Sequence, residues 1–387
     1  MIRRLSTFIS LMAVMLTVTA NSWAQREGFI PVEGASLKSK LDTATSQGRA
    51  KQSKFWAAYS FDVRPGVAID VEYNDGRGNT TIVNGSSVSM NSRVETRNVG
   101  IFLLYEPSAG AIERIELYNL DRRREYSGYP VYWLGRANNE ESLTLLRGLI
   151  DSNQANRVGE KAIAALALHD DPRVGNMLED YARRASNEKV RSTAVFWLGQ
   201  TPGHHPFLAE LVRNEQESVK IRKEAAFSIG VSQDPQAMSV LQSLYGSISD
   251  REVKKQIVFA ASINKSEAGA GEPRKRDEAG VDFLIKVAES DPDREVRKQA
   301  LFWLGQKAGQ RSLDALGKTV ESSDDDTEVQ KQAVFAISQR PKDEAVPLLI
   351  KIAKTHAKPE VRKQAIFWLG QTGDERALEF FKEVLTK

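Results

Sequence analysis

An eleven-residue phrase recurs through the last two thirds of the chain and narrows the possible folds more than any other feature. It reads VRSTAVFWLGQ from Val190, VRKQALFWLGQ from Val296, VQKQAVFAISQ from Val329 and VRKQAIFWLGQ from Val361. Weaker copies begin at Tyr126 (YSGYPVYWLGR), Val158 (VGEKAIAALAL), Ile221 (IRKEAAFSIGV) and Val253 (VKKQIVFAASI). Successive starts lie 32, 32, 31, 32, 43, 33 and 32 residues apart, so a period near 32 is broken once. Repeats of that length build solenoids, in which each unit buries its apolar face against its neighbours rather than around one centre.

Apolar residues within the phrase recur at the 3.6-residue period, and a second amphipathic segment separates successive copies, among them HPFLAELVRN, PQAMSVLQSLY, EAVPLLIKIA and RALEFFKEVL. Each unit is therefore expected to be two antiparallel helices. Asp250, Asp293 and Thr327 stand where helix caps belong. Gly199, Gly305 and Gly370 stand where left-handed helix terminators belong. The final helix, ending EFFKEVLTK, is expected to act as the polar cap that arrays need.

On a helical wheel of about 100° per residue, phrase positions one, five, eight and nine share one arc and form the expected core. Position eight nearly alternates large and small: Trp133, Ala165, Trp197, Ser228, Ala260, Trp303, Ala336, Trp368. Each Trp is expected to fill space left by a small neighbour in that column. The opposite arc presents Lys298, Gln299, Phe302 and Gln306, then Lys331, Gln332, Phe335 and Gln339, then Lys363, Gln364, Phe367 and Gln371, with Lys255, Gln256 and Phe259 from the unit before. Gln amides both donate and accept hydrogen bonds. A groove lined by these residues suits an extended peptide, with Gln meeting its backbone and Phe its side chains. The competing reading makes the same residues packing and helix-end groups.

Residues 25–125 have a different texture. KFWAAYSFDV, GVAIDVEYND, TTIVNG, RNVGIFLLYE and AIERIELYNL read as strands, NDGRGN from Asn74 as a hairpin turn and SSVSMNS as a polar spacer, which together predict a small antiparallel β-rich domain. LKSKLDTATSQ from Leu37 adds one short helix. The first 24 residues have the basic start, apolar run and small-residue end of a secretory signal peptide, and the apolar run is too short to span a bilayer. Export to the periplasm or the extracellular space follows, and with no Cys the fold there rests on packing alone. Loss of Arg3 and Arg4 with the leader lowers the 54 basic residues to 52 against 51 acidic ones, a balance that gives no reason to expect nucleic acid.

With DREVRKQALFWLG, PEVRKQAIFWLG and the following GDERALEFF, the chain from 126 to 387 resembles the short HEAT-like repeats also found in phycobilin lyases. The resemblance implies an α-solenoid of HEAT-like helix pairs, a right-handed superhelix with the phrase helices inside. It leaves function open between scaffold, adaptor and enzyme. The long gap, at residues 264–280, is expected to be a flexible insertion.

Catalytic and metal motifs are weak. His204 and His205 read as a solvent-exposed turn pair, His169 and His356 as helix-end groups, and the acidic runs at Asp291 and Ser322 as caps rather than calcium loops. Gly317, Lys318 and Thr319 lack the first Gly of a phosphate loop. Arg274, Lys275 and Arg276 read as solvated charges. No catalytic residue, cofactor or metal is expected. The leading expectation is a non-catalytic exported scaffold that binds a protein or extended peptide, with no membrane span in the mature chain. The alternatives are a lyase-like enzyme using the same groove, and a structural envelope protein anchored through exposed aromatics among Phe55, Trp56, Tyr59 and Phe61.

Overall fold

The computed structural model describes residues 28–386 apart from 70–78, 84–85, 91–94, 109, 123, 154–156, 233, 265–272 and 323–325, with the backbone alone at 79–83, 86–90 and 273–277. The leader at 1–24, most of the NDGRGN turn and the middle of the acidic run after Ser322 lie outside the described residues. Two compact units divide the chain, Met1–Trp197 and Leu198–Lys387. The first helix pairs belong to the same compact unit as the sheet.

The first unit contains strands β1 (Ile30–Pro31), β2 (Phe55–Ser60), β3 (Val67–Ile69), β4 (Asn79–Val83), β5 (Ser86–Met90), β6 (Val99–Glu106), β7 (Ala111–Asn119) and β8 (Val131–Arg136). They form one sheet in the order β1-β8-β2-β6-β7 and a smaller one in the order β3-β5-β4. The larger sheet is mixed rather than antiparallel, because β8 pairs in parallel with both β1 and β2. Strand β8 is the segment expected to be the first phrase helix. Pro130 holds Tyr129 extended, and the β-branched and aromatic run VYW fills a gap between two strands that satisfy its backbone on both sides. The polar run SSVSM is likewise a strand, β5, flanked by β3 and β4.

Helix Leu37–Ala50 starts at a capping box between Ser36 and Ser39 and presents Gly48 to Phe55, where an added Cβ would lie 2.2 Å from the ring. On the sheet Phe29, Trp56, Phe102, Tyr126 and Trp133 form one core cluster, and the Trp56 indole donates to the Tyr126 carbonyl at 2.8 Å. Phe55, Trp56, Tyr59 and Phe61 are all buried to 1% exposure or less. None is available as a surface anchor. Helix Arg157–Ala167 packs on β7, so the sheet covers the first helix pair.

In the second unit each phrase forms the second helix of a hairpin. The phrase helices are Val219–Val231, Arg251–Ile263, Arg294–Gly305, Thr327–Ser338 and Pro359–Thr372, each packed on the next. Their partners are His205–Arg213, Ala237–Ser247, Pro273–Ser290, Gln310–Glu321 and Lys342–Thr355, with Glu375–Leu385 closing the series. Positions one, five and nine are core as expected: Val296, Ala300, Leu304, Val329, Ala333, Ile337, Val361 and Ala365 are fully buried. Helix starts follow the expected chemistry, except that Asp326 rather than Thr327 caps its helix. Residues 273–280, expected within the flexible insertion, belong to a helix that begins at Pro273.

The phrase glycines are not left-handed terminators. Positive φ falls at Gly203, Gly309 and Gly373, in the turns that follow, whereas Gly199, Gly305 and Gly370 stay helical. Position ten is instead where the next phrase helix comes closest. An added Cβ would meet the Ser228 carbonyl oxygen at 2.4 Å from Gly199, the Ala260 Cβ at 2.7 Å from Gly230 and the Ala336 carbonyl oxygen at 2.8 Å from Gly305. This pairing accounts for the alternation at position eight. Gly at position ten brings the next helix so near that only Ser or Ala fits, whereas Ala167, Ser262 and Ser338 precede Trp197, Trp303 and Trp368.

Candidate binding surface

Position seven of the phrase lies beside the close contacts, so stacking the helices lines its side chains up as a ladder. The rings run Phe227, Phe259, Trp303, Phe302, Phe335, Trp368, Phe367. Phe227 and Phe259 stack at 6.0 Å between centroids with planes 8° apart, and Phe302 and Phe335 at 6.3 Å and 11°. Trp303 bridges Phe259 and Phe302, at 4.9 Å to each, and Trp368 bridges Phe335 and Phe367, at 5.2 and 5.0 Å. Each contact of this kind is worth about 0.5–1.5 kcal/mol beyond area burial.

Trp197 is buried as expected, but Trp303 and Trp368 are half-buried and act as rungs between adjacent Phe side chains rather than as core plugs. Their indole nitrogens are covered and have no acceptor among the described residues. Phe227 and the two Trp are the ladder members that the sequence reading left out. Phe227 was legible as position seven of a weaker copy. The Trp roles required the position-ten contact.

Beside the rings, Gln256, Gln299, Gln332 and Gln364 are half-buried, and no side-chain hydrogen bond ties any of them to the described residues. Gln306, Gln339 and Gln371 are exposed, and Gln306 and Gln339 are helix C-caps. The Lys column is already engaged. Lys255 pairs with Glu252 at 3.2 Å, Lys298 with Glu295 at 3.3 Å and Lys331 with Glu328 at 2.9 Å, each one helical turn earlier. Such surface pairs add little stability, but they neutralise the ladder's flank and leave Phe and Gln as its distinctive chemistry. Lys363 and Phe367, on the last phrase helix, are exposed. A hollow of about 370 Å³ at the other end of the ladder is lined by Val219, Lys220, Lys223, Glu224, Phe227 and Gln256.

A larger cleft, about 1000 Å³, opens between the outer helices Gln310–Glu321 and Lys342–Thr355. Its polar lining includes Asp314, Lys318, Asp343 and Glu344, and the Lys351–Glu321 ion pair bridges it at 2.5 Å. Across this cleft the outer helices stand apart, while the phrase helices beside them stay in contact.

Position two has a job that the sequence reading did not assign. Arg222 Nε donates to the Val212 carbonyl, Arg297 Nε to Ala288, Gln330 Nε2 to Val320 and Arg362 to His356, each reaching back to the C-terminal end of its own outer helix. These donors satisfy carbonyls that a helix end leaves open.

The titratable clusters lie within the packing. Ser142 Oγ is 2.7 Å from His169 Nε2 and 3.0 Å from the Tyr59 hydroxyl, while His169 Nδ1 is 2.9 Å from the Ala165 carbonyl and its ring stacks on Phe61. The spacing resembles that of a nucleophile and its base. All three side chains are buried, however, and burial pushes the His169 ring down to about 4, so it is a neutral packing group at physiological pH. His205 is buried rather than solvent-exposed. Burial lowers its proton affinity, and Asp234, 3.4 Å away without hydrogen-bond geometry, opposes the shift. His356 accepts from the Lys358 backbone N–H at 3.1 Å and places Nε2 2.8 Å from the Val320 carbonyl, joining two outer helices.

Asp291 accepts from the Tyr245 hydroxyl, from Lys254 Nζ at 2.9 Å and from the Asp293 backbone N–H at 2.8 Å. Burial alone would raise its proton affinity, and these donors outweigh that effect and hold the carboxyl below its usual range. The Asp291 run thus caps a helix and fastens together the two hairpins on either side of the long gap. Among the described residues no group of three or more His, Cys, Asp or Glu could hold a metal, and no helix is long and apolar enough to cross a membrane.

Stacked helical hairpins with a fixed phrase on the second helix define an α-solenoid repeat protein. The repeats are HEAT-like: residues 321–387 match the family described as HEAT repeats. No curated protein matches the chain in sequence. Among solved structures the chain is similar to human deoxyhypusine hydroxylase in complex with glycerol, at 19% identity and a TM-score of 0.30, over 63% of this chain and 89% of that one. It is also similar to Escherichia coli YibA, at 19% identity and a TM-score of 0.32, over 60% of this chain and 82% of that one. Both values are too low to transfer an activity.

Proposed function

We propose that this chain is a non-catalytic, exported scaffold that holds an extended segment of another protein along the Phe and Gln ladder of its second unit. One observation carries the reading: half-buried rings repeat along the ladder beside Gln amides that no side-chain hydrogen bond ties to the described residues. Side chains on one face of an extended strand recur about every 6.8 Å. The two Phe–Phe steps of the ladder, 6.0 and 6.3 Å, come close to that repeat. Apolar side chains of the guest settle between rungs, and Gln256, Gln299, Gln332 and Gln364 meet its backbone. Export, and with it a periplasmic or extracellular partner, rests on the leader-like first 24 residues.

The enzyme reading calls for acids, bases or ligands converging on this face. Two clusters of such groups, Ser142 with His169 and Asp291 with Lys254, fasten packed elements to one another. A pull-down from envelope extract tests the proposal. A Phe302→Ala, Phe335→Ala variant that keeps its helical circular dichroism loses the partner, as does the milder Gln299→Ala, Gln332→Ala variant. Undiminished capture by both variants removes the ladder from the account.

A further inference from the structure

The last phrase helix lacks the cover that the same face receives at every earlier step. At position six Ala226, Val258, Leu301 and Val334 are fully buried, whereas Ile366 is 39% exposed. At position ten Gly230 and Gly305 are pressed by the following helix, whereas a Cβ on Gly370 would meet nothing within 4 Å. Phe367 is 54% exposed, and Leu378, Val384 and Leu385 are exposed close by in sequence. Five of the six large apolar side chains exposed among the described residues thus lie between 366 and 385. The expected polar cap is not realised. Helix Glu375–Leu385 packs on Lys342–Thr355 and on one flank of Pro359–Thr372, and leaves the stacking face open.

We propose that this end of the array is a self-association surface, and that its occupant is a second copy of the chain, with Ile366 of each copy entering the notch over Gly370 of the other. Continuity with the stacking interface defines what fits here, since the equivalent face of each earlier phrase helix is covered by another phrase helix. Knob and notch are four residues apart on one helix and therefore share a face. A two-fold axis running between the two copies of this helix, level with the midpoint between Ile366 and Gly370, sets each knob opposite the other copy's notch, which is the reciprocity that an isologous contact requires. Head-to-tail growth would need a phrase helix with a small residue at position eight. Those of this unit, with Ser228, Ala260 and Ala336, are buried in their own stacks.

Sedimentation velocity of the full chain from low micromolar to submillimolar concentration tests this. The wild type is expected to shift from monomer to dimer as concentration rises. Gly370→Leu fills the notch in helical backbone with free space around it, and Ile366→Glu removes the knob. Each is expected to weaken association at least tenfold, while the unfolding midpoint measured on dilute monomer stays at or above the wild-type value for Gly370→Leu. The Phe302→Ala, Phe335→Ala variant still dimerises, which separates this surface from the ladder. A wild type that is monomeric throughout, a dimer that persists in both variants, or a ladder of species beyond dimer overturns the proposal.

Discussion

Gly305 and Gly370 end the same run, FWLG, in phrases that differ at one residue, yet they stand in opposite surroundings. A Cβ on Gly305 would lie 2.8 Å from the Ala336 carbonyl oxygen and 3.0 Å from its Cα and Cβ, all on a neighbouring helix that cannot rotate away as a flexible side chain could. A Cβ on Gly370 would meet nothing. Replacing helical Gly by Ala gains up to about 1 kcal/mol of helix propensity. Forcing a methyl into a packed contact costs about 1–3 kcal/mol. Gly370→Ala is therefore expected to stabilise its helix by up to about 1 kcal/mol, and Gly305→Ala to lose about 0–2 kcal/mol net. The difference of about 1–3 kcal/mol isolates the contact, because propensity enters both substitutions. Arrays unfold in parts, so the assay pairs urea titration of dilute monomer with hydrogen exchange in helices Arg294–Gly305 and Thr327–Ser338. Equal shifts in both variants would refute the argument that close approach at position ten sets the stacking.

Other consequences follow from the buried polar groups. His169 is held neutral, with a folded value of about 4 against about 6.5 unfolded, so its contribution is complete above pH 6.5 and is lost as pH falls toward 4. The loss amounts to about 3 kcal/mol, and His169→Gln should flatten the stability difference between about pH 7 and about pH 4.5 relative to wild type; an unchanged difference counts against the assignment. Asp291→Asn leaves Lys254 without its carboxylate and Tyr245 with a weaker acceptor, and is expected to cost about 3 kcal/mol and to loosen exchange in helix Arg251–Ile263 first. Wild-type exchange there would contradict the fastening role. The double-Phe variant is expected to lose its partner while remaining helical, as read by the pull-down and circular dichroism.

The solenoid was legible because its signal repeats: Val, Ala and Leu or Ile at positions one, five and nine mark the same arc in every strong copy, and all are core. The candidate face was legible for a related reason, since Phe and Gln recur on the opposite arc. What misled was any residue whose role depends on a neighbour far along the chain. Gly305 looks like a terminator within its own phrase, and its role appears only against Ala336, one unit on. Trp303 and Trp368 looked like core by angle, yet the stand-off after Ser262 and Ser338 lets them reach the Phe column. VYWLGR has the phrase's letters, but Pro130 and two waiting strand edges made it β8. SSVSM has no apolar alternation, and backbone pairing on both sides makes it a strand all the same.

The proposed partner lies along the Phe and Gln face of the second unit. Site-specific photo-crosslinking addresses it most directly, with the reactive residue placed in turn at Gln299, at Gln332 and at Lys318, which lies on an outer helix. In envelope extract one shared adduct is expected at 299 and 332, absent at 318 and competed away by unlabelled wild-type protein. Adducts at 318 alone, or none at 299 and 332 while the partner still co-purifies, would contradict it.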